Sequence, residues 1–400
     1  MDGMKAIVVG AGIAGLVTAR QLGLAGWEVE VIERSPGPRK DGYMMDFFGP
    51  GVEASERIGL YPRLAAASYR VEAAQYVTPE GRVTSSLSYR RFADLAGGKV
   101  LSLLRPDMEL AALDALRDVP AGRVEVRYGA GVGDAAVRAF AADADVVIGA
   151  DGIHSEVRAQ AFGPEPEFLR PLGMRAAAFI VTEPILNARF HNRFILTDSI
   201  DRMAGLYSLR TDEVAAFLVY RDTADGAAHD AAPATLLDAR ARLRERFAGL
   251  GPTVDRLLEL CPEHPYDDVV AQIVMPHWQT THRHTADRRA APVVLVGDAC
   301  GAVSLLAGQG GSLAIAGAAL LGDLLGPVAG PEGIPAALAA FEDRWRPFVL
   351  TAQASGRRAA ASFLPSGPLA RLLRRWVIRA SNLPVIDGIV ARSIVGRIAK

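Results

Sequence analysis

Gly10, Gly12 and Gly15 follow the apolar run Ile7-Val8-Val9 with the spacing Gly-x-Gly-x-x-Gly, and Glu33 ends the next apolar stretch. In that spacing the first glycine permits a tight turn. The second lets backbone approach a pyrophosphate, and the third lets a helix pack closely on the strand, with Ala14 on the same small-residue face. The chemistry is phosphate binding, because the helix that opens here presents unpaired N–H groups and the positive end of its dipole. Glu33, with Arg34 beside it, is placed to accept hydrogen bonds from a ribose diol. A carboxylate there would repel a 2′-phosphate, so the site suits FAD or NAD rather than NADP.

A second constellation lies almost three hundred residues further on, where Val293-Val294-Leu295-Val296-Gly297-Asp298 runs into the loop Gly308-Gln309-Gly310-Gly311. An aspartate just beyond a buried strand lies at the carboxyl edge of a sheet, where open α/β folds bind ligands. Between the two constellations stand Arg105, at the head of a helix, and the segment Asp145-Val146-Val147-Ile148-Gly149-Ala150-Asp151-Gly152, which continues to Arg158.

Together these segments resemble the group A FAD-dependent monooxygenases, the family of aromatic hydroxylases and tetracycline-inactivating monooxygenases with the para-hydroxybenzoate hydroxylase fold. The resemblance spans roughly residues 1 to 360. It implies FAD as cofactor and NAD(P)H as co-substrate. By that resemblance Asp298 would bond the flavin ribityl chain, and Arg105 would lie along the FAD between pyrophosphate and ring. Asp151 and Gly152 would close the pyrophosphate pocket and shape the NAD(P)H approach. Gly308, Gly310 and Gly311 would set backbone N–H groups against the pyrimidine edge.

The activity it implies is hydroxylation of an aromatic or polycyclic small molecule by molecular oxygen, through a flavin C4a-hydroperoxide. The cofactor does the hard chemistry, so no catalytic acid or base is nominated. Leu305 and Leu306 are expected on one wall of the substrate space and Met45 and Phe47 on the other, with Tyr207, Phe217 and Phe194 reaching in from a sheet. The chain departs from the family at Cys300-Gly301-Ala302 and Leu305, where His-Pro and a later proline are common, and at Ser312, where asparagine is common. Two other readings stay open on the same scaffold: an FAD-dependent reductase or dehydrogenase, and a non-catalytic FAD-binding protein.

The elements that must position these residues read as an α/β chain. Lys5–Val9 is a buried strand, Ile13–Gly26 a helix and Trp27–Glu33 the next strand. A hairpin of Glu72–Thr78 and Val83–Tyr89 interrupts the βα pattern, which resumes at Leu101. A meander of Arg175–Val181, Phe190–Asp198, Met203–Arg210 and Glu213–Arg221 follows, and a buried strand returns at Val293–Val296. The expected architecture is a Rossmann-like FAD-binding domain (1–71, 101–167 and 282–355) with an inserted β-sheet substrate domain (72–100 and 168–281) and a C-terminal helical segment (356–400).

Composition narrows the remaining choices. A formal charge of −1 with no basic face argues against nucleic acid as a partner. Two cysteines make no disulfide framework, and no secretory leader pattern precedes the first strand, so a cytoplasmic setting is expected. His277, His282 and His284 lie in an arginine-rich stretch without a ligand pattern, so no metal is expected. Cys300 reads as a small buried packing residue, and His154 as a backbone cap or a phosphate contact. From Arg357 onward nine basic residues face one acid, Asp387. The favoured reading is a helix packed across both domains with its arginines in water; the alternative is a helix lying on a membrane surface.

Overall fold

The computed structural model describes residues 3–39, 42–95, 98–133, 136–222, 237–280 and 290–380. In chain order its strands are β1 (Lys5–Val9), β2 (Glu28–Glu33), β3 (Met44–Phe47), β4 (Ala73–Val77), β5 (Val83–Ser88), β6 (Leu101–Leu104), β7 (Val124–Tyr128), β8 (Val146–Gly149), β9 (Leu169–Thr182), β10 (Arg193–Ser199), β11 (Arg202–Ser208), β12 (Glu213–Arg221), β13 (Tyr266–Ile273) and β14 (Val293–Leu295). They form a mixed α/β structure with one parallel sheet, one largely antiparallel sheet and an antiparallel pair, β3-β6.

The parallel sheet has the order β14-β8-β1-β2-β7. Strands β1, β8 and β14 are the near-continuous apolar runs that burial on both faces requires, and Val8, Val147 and Val294 are wholly inaccessible. Strand order reverses between β1 and β8. That reversal opens a crevice at the carboxyl edge, where β1, β8, β14 and β2 all end. The Ile13–Leu24 helix packs on this sheet, and the Gly310–Leu325 helix packs on that helix so tightly that a Cβ on Gly322 would stand 2.4 Å from that of Gln21.

The second sheet has the order β13-β9-β12-β11-β10-β4-β5. It is antiparallel except where β4 runs parallel to β10. The Pro184–Phe190, Leu237–Phe247 and Pro252–Leu260 helices cover one face, where Phe179, Leu218, Leu243, Phe247 and Leu257 form a core. The other face packs against Leu305, Leu306 and Phe363. A buried ion cluster ties its strands together: Asp267 of β13, 3 % exposed, accepts from Arg175 Nε at 3.0 Å and from Arg242.

Four sequence expectations are corrected here. Phe190 does not begin a strand; it closes the helix that Pro184 starts, and β10 begins only after Asn192 turns the chain with φ 57°. β9 runs for 14 residues, well beyond the expected Arg175–Val181, because it pairs with both β12 and β13. The boundary at 355/356 falls inside a single 28-residue helix, Ile334–Ala361. And the Pro368–Ala380 helix does not hold its arginines in water: Arg371 and Arg375 donate to Asp198 Oδ1 at 3.1 and 3.4 Å, and Arg374 donates to Tyr76 Oη at 2.7 Å. Asp198 is 1 % exposed on β10, and a buried carboxylate requires cationic partners.

The long helix is the brace between the two sheets. Gln353 Nε2 donates to Ile273 O at 2.6 Å and to Ala302 O at 3.0 Å, and Gln272 Nε2 donates to Gln353 O at 2.9 Å. Gln353 is 2 % exposed, so no water replaces its amide. Gln353→Leu removes one donor from each of two buried carbonyls, Ala302 O keeping that of Ile273 N–H, and is expected to cost about 2 kcal/mol of unfolding free energy, read as a lower denaturant midpoint with unchanged m-value.

Candidate active site

The carboxyl edge of the parallel sheet is assembled by close backbone contact. Gly10, with φ 106°, turns the chain out of β1 so near to β8 that a Cβ there would lie 2.5 Å from Ala150 O. On Gly15 a Cβ would lie 1.9 Å from Gly10 O. On Gly297, where φ is 68°, it would lie 2.9 Å from the Cβ of Ala14. The two motifs from opposite ends of the chain therefore touch.

Gly12 differs from its neighbours. Its backbone is ordinary extended chain (φ −77°, ψ −178°), and a Cβ there would meet only Arg105 Nη2, at 3.9 Å. It faces a cavity of about 570 Å³ that runs along the edge of the sheet, within the usual range for small-molecule sites. The Ile13–Leu24 helix opens on this cavity with no side-chain cap and no acid in its first turn. The Gly310–Leu325 helix also opens there uncapped, with Gly308 and Gly310 in the wall. Two helix N-termini offering unpaired N–H groups, with Arg105 and Arg39 alongside, make one end of the cavity a receptor for negative charge. These residues fit a dinucleotide: the Gly12 cradle is the space a pyrophosphate would fill.

The carboxylates divide between support and ligand. Glu33 accepts Ala11 N–H on Oε2 at 2.9 Å and Ser35 N–H on Oε1 at 2.9 Å, so it braces the turn while still lining the cavity. Burial pushes its pKa up, but the backbone donors of Ser35 and Ala11, with the Ser35 hydroxyl and Arg39, outweigh burial and hold it below the ordinary value. Asp151 accepts from Ser155 Oγ at 2.5 Å and Val157 N at 3.1 Å, tying the Gly152 turn to the Glu156–Ala161 helix. Asp298 is exposed into the cavity, and desolvation by the surrounding protein raises its pKa against the pull of Arg105.

The far end of the cavity is aromatic. Tyr43 lies 5.5 Å from Phe217 and 6.3 Å from Tyr266, centroid to centroid, and Tyr43 and Tyr266 line the wall with Met45, Val303 and Leu305. Burial takes the Tyr43 hydroxyl up to about 12, so it stays protonated at neutral pH. Ser304 in the loop between these apolar residues has φ 146°, a strained conformation for a side-chain-bearing residue.

Of the expected site residues, Gly10, Gly12, Glu33, Arg34, Arg105, Asp151, Gly152, Asp298, Gly308, Gly310, Met45 and Leu305 line this one cavity. Ala14, Gly15 and Gly297 lie behind its wall, as does Gly311, whose Cβ position is closed by Met45 and Met108. Phe47 does not face substrate space: alternation in β3 turns it into the core against Gly51. Tyr207 is 2 % exposed beneath Phe194 with its hydroxyl unpaired, and Leu306 packs with Phe363 on the inner sheet face. Cys300 is buried, its thiol donating to Gly297 O at 3.5 Å.

The sequence reading missed Arg39, Tyr43, Tyr266 and Asp268. Tyr266 and Asp268 share one face of β13, whose first residues, Tyr266-Asp267-Asp268, carry no strand pattern of their own. Their charges are matched from afar: Asp268 meets His154 at 3.1 Å, and His154 also meets Glu165 at 3.0 Å. Hydrogen bonds to Asp268 and then Glu165 take His154 up to about 10, so it bridges the two sheets as a cation. His277 lies near Glu342, whereas His282 and His284 fall outside the described residues. Among the described residues no cluster of His, Cys, Asp and Glu is arranged to hold a metal ion.

A family model described as "FAD binding domain" matches residues 3–353. An uncharacterized protein of Mycobacterium tuberculosis is 35% identical over 343 residues, 80% of this chain and 84% of its own length. A flavin-dependent monooxygenase from an unknown prokaryotic organism is 26% identical over 385 residues, 91% of each chain. Among solved structures, tetracycline destructase Tet(51) superimposes with a TM-score of 0.74 at 23% identity, covering 98% of both chains. Klebsiella pneumoniae HpxO, complexed with FAD and uric acid, does so with 0.71 at 21% identity, covering 100% of this chain and 99% of its own.

Two expectations follow from the geometry. Gly12→Val should leave the apoprotein within about 1 kcal/mol of wild type yet abolish flavin retention, whereas Gly15→Ala should destabilise the fold by more than about 3 kcal/mol; denaturation curves and the flavin absorbance of purified protein separate the two. His154 has a raised folded-state value. Its contribution is therefore complete below the ordinary 6.5 and is lost as pH rises through about 10. His154→Gln should lower the denaturant midpoint at neutral pH, and the gap to wild type should close on the alkaline side.

Proposed function

From the premise that this chain belongs to the FAD binding domain family and is a group A FAD-dependent monooxygenase, we propose that it consumes NAD(P)H and molecular oxygen to hydroxylate an aromatic or polycyclic small molecule. The observation that carries this reading is the single cavity in which Gly12, Arg105 and Asp298 stand at one end and Tyr43, Tyr266 and Leu305 at the other.

In this reading the first turn of the Ile13–Leu24 helix and Arg105 hold the pyrophosphate, with Arg39 as a further cation. Glu33 takes the ribose diol on the lone pairs its backbone donors leave open, and Asp298 receives the ribityl hydroxyls. The uncapped start of the Gly310–Leu325 helix meets the pyrimidine edge. Asp151 acts indirectly by holding the Gly152 turn in place beside the phosphates. Bound FAD supplies electron transfer from the nicotinamide and the activation of dioxygen.

The protein's remaining tasks are to orient the substrate ring and to keep water away. Tyr43, packed 5.5 Å from Phe217, and Tyr266 offer ring faces for stacking, and Met45, Val303 and Leu305 dry the wall beside them. The inner face of the seven-stranded sheet forms the floor of the substrate space. A small-molecule substrate is supported by likeness, since HpxO is complexed with uric acid.

The test is oxidation of NADPH and NADH by the FAD-loaded protein, with and without a panel of phenols and polycyclic aromatics, with oxygen uptake and product mass read together. A compound that accelerates oxidation at least about tenfold and gains one oxygen, about 16 mass units, supports the reading. Nicotinamide oxidation with a reduced or desaturated product and no added oxygen overturns it in favour of a reductase or dehydrogenase.

A further inference from the structure

The Pro368–Ala380 helix is amphipathic, but its faces are reversed relative to water. Arg371, Arg374 and Arg375 turn inward to Asp198 and Tyr76. Leu369, Leu372, Leu373 and Trp376 turn outward, 81, 56, 66 and 62 % exposed. The spacing i, i+3, i+4, i+7 places all four on one stripe. No comparable group of large apolar side chains is exposed elsewhere among the described residues.

Charge says what the stripe faces. Two guanidiniums, Arg371 and Arg375, lie beneath it against the single carboxylate of Asp198 with Arg374 on Tyr76 beside them, and the sequence continues with Arg379, Arg392, Arg397 and Lys400 against Asp387. The chain as a whole carries −1, so the body is acidic and positive charge is gathered at this end. A second copy docked stripe to stripe would bring two such cationic ends together, which disfavours a dimer. A surface that is apolar within and anionic at its headgroups satisfies both features, and tryptophan prefers that boundary.

We infer that this face docks the protein on an anionic lipid bilayer, with the leucine–tryptophan stripe entering the boundary between headgroups and acyl chains. Among the described residues no helix is long and apolar enough to cross a membrane, so the attachment is peripheral. An acidic body attached to a cationic end is also oriented by the field, since the membrane repels one and attracts the other.

The experiment is co-sedimentation of the FAD-loaded full chain with phosphatidylcholine vesicles, with and without phosphatidylglycerol. Wild type is expected to sediment with the anionic vesicles and to be released by high salt, with the tryptophan emission shifting to the blue and the shift absent in Trp376→Phe. The combined variant Leu369→Ser, Leu372→Ser, Leu373→Ser and Trp376→Ser should retain bound flavin and lose at least about tenfold in vesicle affinity. Wild type that stays in the supernatant with both vesicles overturns the inference. So does a combined variant that binds as well as wild type, because basic charge alone then suffices. A dimer by light scattering that the variant abolishes, without vesicle binding, assigns the stripe to a second copy instead. Flavin content and turnover are read separately, so this result stands apart from that of the proposed reaction.

Discussion

Everything in this protein depends on how closely three backbone segments approach at one edge of a sheet. Gly10 lies against Ala150, Gly15 against Gly10 itself, and Gly297 against Ala14, each with no room for a further carbon. Side chains at these points would not merely crowd a ligand. They would push β1, β8 and β14 away from the helix that crosses them, and the crevice between β1 and β8 would lose its shape. The cavity is the empty space left by that contact, and Gly12 is the one glycine of the motif whose missing side chain leaves the cavity open rather than serving the packing.

The charged groups around the cavity follow a consistent division. Glu33 and Asp151 spend hydrogen bonds on backbone N–H groups and keep turns in shape, whereas Asp298 and Arg105 present polar atoms to the space itself. A carboxylate that braces a turn from inside the wall is rigid before any ligand arrives, and preorganisation of this kind lowers the entropic cost of binding. His154 adds a second kind of support, a cation between Glu165 and Asp268 that holds the nucleotide half to β13.

The nucleotide half was legible in the sequence because its signals are local. A glycine spacing beside an apolar run reports strand, turn and helix together, and the Asp151-Gly152 and Gly297-Asp298 segments repeat that logic. The aromatic end was not legible for a physical reason. Tyr43, Phe217 and Tyr266 come from three separate places in the chain, and only the pairing of β9 with both β12 and β13 brings them together. Nothing local marks Asp267 and Asp268 as strand residues, because their partners Arg175, Arg242 and His154 are remote in sequence. Phe47 was placed in the cavity when β3 alternation sends Met45 there and Phe47 into the core. The orientation of the last helix depended on Asp198, which no pattern within that helix reveals.

The position of β14 also governs how the protein can be made. Synthesis proceeds from the N-terminus, and β1, β2, β7 and β8 are available once residue 149 has emerged. β8 is then an edge strand, with all four of its residues of the kind that the finished sheet buries completely. Its neighbour does not exist until residues 293–295 are translated, after the whole seven-stranded sheet has passed. The nascent chain must therefore carry an unpaired, apolar strand edge through the production of another domain's worth of polypeptide, which is the condition under which chaperones are recruited and misassembly begins.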